Sequence, residues 1–184
     1  MSTRQIASFL GISNTSVQRA YDYLESIGAV TREGGFTSTV SYSIVSRKSI
    51  FDCIKDNMIN PIKNYLKMFI KRTTIDKFES KFIKGAEEVL TNVTDLDSSS
   101  IIEYVTDSET YIELLFSPAK YRSYDGELIY IEEWIYRPDL LSDGKTIDII
   151  DAYIVLKNRY SYSNDPRINK ALKEMERIII SGKD

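Results

Sequence analysis

The chain of 184 residues is 42% hydrophobic and 28% charged, with a formal net charge of -3, one cysteine and no histidine. Its length suits one domain or two small ones burying roughly 70% of the unfolded surface, and the lack of histidine removes Ser–His pairs, Cys–His pairs and histidine metal sites. A lone Cys53 excludes an internal disulfide and points to a reducing compartment; with no signal peptide and no bilayer-length apolar run, a cytoplasmic protein without a membrane partner is expected.

The charge is uneven. Residues 1–92 carry 13 Lys and Arg against 9 Asp and Glu, whereas residues 93–184 carry 11 against 18. A basic first half suits contact with DNA, and an acidic second half suits protein or solvent.

The first thirty residues read as a helix-turn-helix. Thr3 to Leu10 forms a short amphipathic helix in which Ile6, Ala7 and Leu10 share one face and Ala7 lets a second helix cross closely. Gly11 follows the last periodic residue, where the chain leaves the helix through a left-handed conformation that costs any side chain more. Ile12 is expected to fill the corner. Ser13 is placed to cap the next helix by accepting from the amide of Thr15 or Ser16. That helix, Asn14 to Ile27, buries Val17, Ala20, Tyr21, Leu24 and Ile27, and its other face offers Asn14, Thr15, Ser16, Gln18 and Arg19 to base edges and phosphates.

A wing follows in the pattern. Gly28 ends the helix, Ala29 to Arg32 begins a strand, Glu33-Gly34-Gly35 makes a hairpin turn, and Phe36 to Val45 returns. Thr3, Arg4, Arg32, Thr37 and Ser38 are then backbone or minor-groove contacts. A winged helix normally carries another helix before this pair. Ile6, Phe9 and Leu24 therefore need cover from a later helix, a partner subunit or a preceding segment of a longer chain.

From Lys48 to about Val93 the spacing predicts helices. Ile50, Phe51, Ile54, Met58 and Ile59 form one stripe, and Ile62, Tyr65, Leu66, Phe69 and Ile70 a second. Pro61 separates them, Asn60 is the expected cap, and Lys63, Lys67, Lys71 and Arg72 give a basic helical face, read as solvated rather than DNA-bound. A third helix is expected from Lys77 to Leu90. These helices either cover the open side of the first domain or pair with a twin subunit.

Beyond Ser98 the period becomes two. Ile101 to Thr106, Tyr111 to Phe116 and Leu128 to Tyr136 predict three strands of an antiparallel sheet, while Asp148 caps one helix and Asn164-Asp165-Pro166 opens a last one. The chain is thus read as α+β: a winged helix-turn-helix over 1–47, a helical linker or dimerisation segment over 48–92 and an α+β domain over 93–184. The 13 tyrosines are scattered as in sheet packing rather than gathered into a base-stacking platform.

No catalytic, cofactor-binding or metal-ligating set is expected. Gly144-Lys145-Thr146 ends like a phosphate loop, but the glycine such a loop needs is Asp139 here. Pro138-Asp139 with Asp143-Gly144-Lys145 has the residue types of a metal-dependent nuclease within a span that fits a plain turn. Glu132 and Glu133 point to opposite faces of a strand, so they share neither a proton nor a metal. Cys53 lies on an apolar stripe with no activating base.

The stretch Ile131 to Leu141, then Ile147 to Lys157, then Asp165-Pro166-Arg167-Ile168 resembles the C-terminal region of winged-helix regulators related to the AbiE-type abortive-infection antitoxins. The resemblance implies a repressor that binds operator repeats beside its own operon, with a nucleotidyltransferase-like toxin as operon partner. The expected function is sequence-specific binding of double-stranded DNA by a homodimer on an inverted repeat, with promoter occlusion. The alternative is an interaction protein that neutralises such a toxin and uses the helical pair only as scaffold.

Overall fold

The computed structural model describes residues 2–34, 40–77, 81–97 and 102–182. They form two compact units, residues 1–58 with 178–184 and residues 59–177, in a mixed α+β arrangement.

The first unit opens with α1 (Thr3–Leu10) and α2 (Asn14–Ser26), then a two-stranded antiparallel ribbon of β1 (Val30–Glu33) and β2 (Ser41–Ile44), then α3 (Arg47–Ile54). Gly11 takes the left-handed conformation, φ 67°, that its position requires. Ala7 and Val17 are buried where α1 meets α2, and Phe51 anchors α3. Ile12 does not fill the corner; it is 47% exposed, and Ala20 also faces solvent. Cys53 lies half-buried and donates to the carbonyl of Ile27 at 3.4 Å. The last turn of the C-terminal helix groups with this unit, Ile179 is buried, and Gly182 lies against the Arg47 side chain, while Phe9, expected to be covered, is 51% exposed.

The second unit is built on a four-stranded sheet of β3 (Ile62–Ile70), β4 (Ile83–Lys84), β5 (Ile102–Thr106) and β6 (Glu127–Trp134), in the order β3-β6-β5-β4. Its helices are α4 (Arg72–Lys77), α5 (Ala86–Val93), α6 (Ser108–Phe116), α7 (Pro118–Tyr121), α8 (Ile149–Arg159) and α9 (Pro166–Ser181). Five expectations change here. The second helical stripe, Ile62 to Ile70, is a nine-residue strand, because pairing along β6 satisfies its backbone and sorts its side chains by alternation instead. Asn60 accepts from the amide of Ile62 at 3.2 Å and so leads into a strand, not a helix. The expected helix from Lys77 to Leu90 is divided into α4, β4 and α5, with buried Gly85 at the N-cap of α5. Tyr111 to Phe116 is helical, started by Asp107, whose carboxylate accepts from the amide of Thr110 at 2.8 Å. The helix carries the chain from β5 into β6, which run parallel; the sheet is therefore mixed rather than antiparallel. Asp148 caps α8 and Pro166 opens α9 as the sequence indicated.

Strand alternation divides the core. On one face Leu66, Met68, Ile70, Ile102, Tyr104, Ile129 and Ile131 pack with Ile75, Phe82, Tyr111, Leu114 and Tyr121. On the other, α8 lies against α5 with Asp151 to Leu156 buried throughout. There Arg159 donates to three carboxylates, those of Glu87 at 2.8 Å, Glu103 at 2.5 Å and Glu132 at 2.9 Å. Trp134 adds an indole N–H to Glu132 at 3.1 Å. Glu133 turns to the opposite face as expected and accepts from Lys63, Asn64 and Ser108. These three donors hold its carboxyl below the usual range although burial opposes them.

Burial, together with the Glu103 carboxylate beside it, pushes Glu132 up to about 7. The folded state thus holds a proton there that the unfolded chain releases near the ordinary value of 4.5. This contribution to stability is full below pH 4.5 and is lost as pH rises through about 7. Between pH 5 and pH 7.5 the wild type should lose about 2 kcal/mol relative to Glu132→Gln. Urea unfolding of both proteins at the two pH values measures this, and parallel pH profiles would refute it.

Candidate nucleic-acid interface

The candidate interface lies in the first unit and is set by how α2 is started and held. Ser13 is extended and its hydroxyl accepts from the amide of Ser16 at 3.0 Å, satisfying one donor that the first helical turn leaves without a partner. Ser2 does the same for α1, in a reciprocal pair with Gln5. Both helices therefore begin at fixed positions.

The ribbon is tied to α2 through Tyr42. Its ring stacks on Tyr21 at 4.0 Å between centroids, and its hydroxyl accepts from the Gln18 amide at 2.8 Å. A stacked pair of this kind contributes about 1 kcal/mol beyond its area. Gln18 also donates to Asp22 at 3.0 Å. Of the residues expected to read DNA, Gln18 is thus half-buried with both amide protons engaged within the fold, leaving its carbonyl oxygen. Arg32 pairs with Tyr42 across the ribbon, which sets both on one ribbon face.

Asn14, Thr15, Ser16 and Arg19 are exposed on α2, and Arg4 is exposed on α1. Thr3 is half-buried at the start of α1, and the Ser16 hydroxyl shares a hydrogen bond with Ser13 at 2.9 Å. Thr37 and Ser38, expected on the wing, lie outside the described residues. Among the described residues Arg4, Arg19 and Arg32 have no ion-pair partner, whereas Lys48 and Lys55 on and beside α3 are both held by Asp52. Positive charge free to meet phosphate in this part of the chain therefore includes the guanidiniums of the helix pair and the ribbon. The sequence did not reveal the Tyr42 tether, because a cross-element stack has no periodicity in the chain.

The other chemistry weighed from the sequence is accounted for locally. Asp139 is held by Arg137 at 3.1 and 2.5 Å, and Asp143 accepts from the amides of Lys145 and Thr146 in a tight turn. Among the described residues no group of three or more His, Cys, Asp or Glu is placed to hold a metal ion, and no helix is long and apolar enough to cross a membrane. No protein-family model, curated protein or solved structure matches the chain.

Ser13→Ala removes the cap of α2 and should lower the stability of the first unit by about 1 kcal/mol. Amide hydrogen exchange in α2 should accelerate accordingly, and unchanged protection would show that the cap contributes nothing.

Proposed function

We propose that this protein is a sequence-specific binder of double-stranded DNA that acts as a transcriptional repressor by occluding a promoter. The observation carrying this reading is the solvent face of α2. Arg19 stands there beside Asn14 and Thr15, with Arg4 and Arg32 on other elements of the same unit and none of the three guanidiniums ion-paired among the described residues. An unpaired exposed guanidinium is a ready bidentate donor to guanine or phosphate.

In this reading the two helices and the ribbon form a winged helix. Asn14 to Arg19 enter the major groove, and Arg4 and Arg32 grip the backbone. Two copies on an inverted repeat, with half-sites about one helical turn apart, then block the promoter. A second reading, contact with a nucleotidyltransferase-like toxin, is favoured by a separate observation: Ile112, Leu115 and Phe116 on α6 are exposed, Phe116 at 82%. Such a patch suits a protein partner. If that reading holds, Phe116→Asp should abolish co-purification with the adjacent gene product and leave DNA binding intact.

Arg19→Ala should weaken binding to DNA from upstream of the protein's own gene by about 1–3 kcal/mol if the side chain reads a guanine. Gel shifts against random competitor separate the possibilities. Equal loss on random DNA assigns Arg19 to phosphate, and an unchanged shift removes it from the interface.

A further inference from the structure

The strand that replaces the expected second helix re-sorts its side chains. Tyr65, Lys67 and Phe69 alternate along β3 and so share one face of the sheet, about 13 Å from first to last. Opposite them on β6 stand Glu132, buried under α8 and across from Tyr65, then Tyr130, across from Lys67, and Leu128, across from Phe69. The Lys67 ammonium lies 5.0 Å from the centre of the Tyr130 ring. This is the face that α5 and α8 cover over β5 and the far end of β6. At the β3 edge the cover ends: Tyr65 is 74% exposed and Phe69 51%.

A groove of about 660 Å³ continues from this face. Arg122 bridges to Ile70 beside the end of β3, and the amide of Ser123 donates to the carbonyl of Phe69 at 3.1 Å. Tyr124 follows, fully exposed. The residues lining the groove include Lys67 and Arg122 and no carboxylate, and neither cation has an ion-pair partner among the described residues. Three features thus coincide: Tyr65 and Phe69 stand in solvent with Lys67 between them along β3, Arg122 lines the groove beside Phe69, and no carboxylate lines that groove, while Tyr65 at the other end borders the separate cleft of Glu87, Glu103 and Glu132.

We propose that this face binds single-stranded DNA, with bases stacked on Tyr65 and Phe69 and the backbone phosphates met by Lys67 and Arg122. A protein partner closing over the patch would desolvate both cations and would have to supply a carboxylate to each. A nucleic-acid strand brings a π-face for every ring and a phosphate for every cation in one repeating unit. The choice of DNA over RNA rests on the function proposed above; the stacking surface does not.

The test uses the full chain and a fluorescein-labelled fifteen-residue oligothymidylate, read by anisotropy across salt. Wild type should bind saturably. Tyr65→Ala and Phe69→Ala should each weaken binding about ten-fold or more. Lys67→Glu with Arg122→Glu should also weaken it, and the slope of log affinity against log salt should flatten by about 0.7 for each phosphate that is no longer neutralised. All four side chains are exposed, so circular dichroism should show the same fold in every variant. Arg19→Ala should leave oligothymidylate binding unchanged while reducing the duplex shift.

Absence of wild-type binding, or binding unaffected by both the aromatic and the charge-reversal variants, overturns the proposal. Loss of oligothymidylate binding in Arg19→Ala also overturns it, since the strand would then sit on the first unit. Tighter binding of oligouridylate overturns the assignment to DNA. Oligothymidylate binding that depends on Tyr65 and Phe69, without any duplex shift, supports this surface and removes the repressor reading instead.

Discussion

The second unit depends on one guanidinium. Arg159, at the end of α8, gathers Glu87 from α5, Glu103 from β5 and Glu132 from β6, and so ties two helices to two strands. Glu103 and Glu132 are buried, and without Arg159 they would stand as uncompensated charges in a low-dielectric interior. Burial, and after it the neighbouring Glu103 carboxylate, outweighs the single guanidinium, which is why Glu132 retains a proton near neutrality. Tyr160 and Trp134 supply further donors to Glu87 and Glu132. The cluster fixes α8 over β5 and β6, while Tyr65, Lys67 and Phe69 on the same face of β3 stay exposed.

The opposite face of the same sheet follows different physics. Its centre is aliphatic and aromatic, with Phe82 edge-on to Tyr104 at 6.2 Å, and it also buries Thr106 and Glu133. Glu133 there finds Lys63, Asn64 and Ser108 and remains ionised, whereas Glu132, one residue earlier, faces Glu103 and is pushed toward neutrality. Adjacent residues of one type thus acquire opposite proton affinities because strand alternation sends them to different faces.

In the first unit the core is small, and polar contacts locate its elements. Serine caps start α1, α2 and α3, and Tyr42 clamps the ribbon to α2 through a stack and a hydrogen bond. The same clamp engages Gln18 and leaves Arg19 free. Which polar residues of α2 remain available to a ligand is therefore set by the ribbon and not by the helix.

Local rules determined much of this chain. The turn at Gly11, the caps at Ser13 and Asp148, the start of α9 at Pro166 and the opposed directions of Glu132 and Glu133 each follow from residues within a few positions of one another, where backbone geometry leaves few choices. Ile62 to Ile70 and Tyr111 to Phe116 were not decided locally. Apolar spacing in the first matched a helix, and β-branched and aromatic residues in the second favoured a strand, yet the first became β3 and the second helix α6. Pairing with β6 settled the one, and the crossover needed between parallel β5 and β6 settled the other. The Arg159 cluster, the Tyr42 clamp and the exposed aromatic edge of β3 likewise join residues far apart in the chain, and only the tertiary structure, by satisfying buried charge and backbone donors together, brings them into contact.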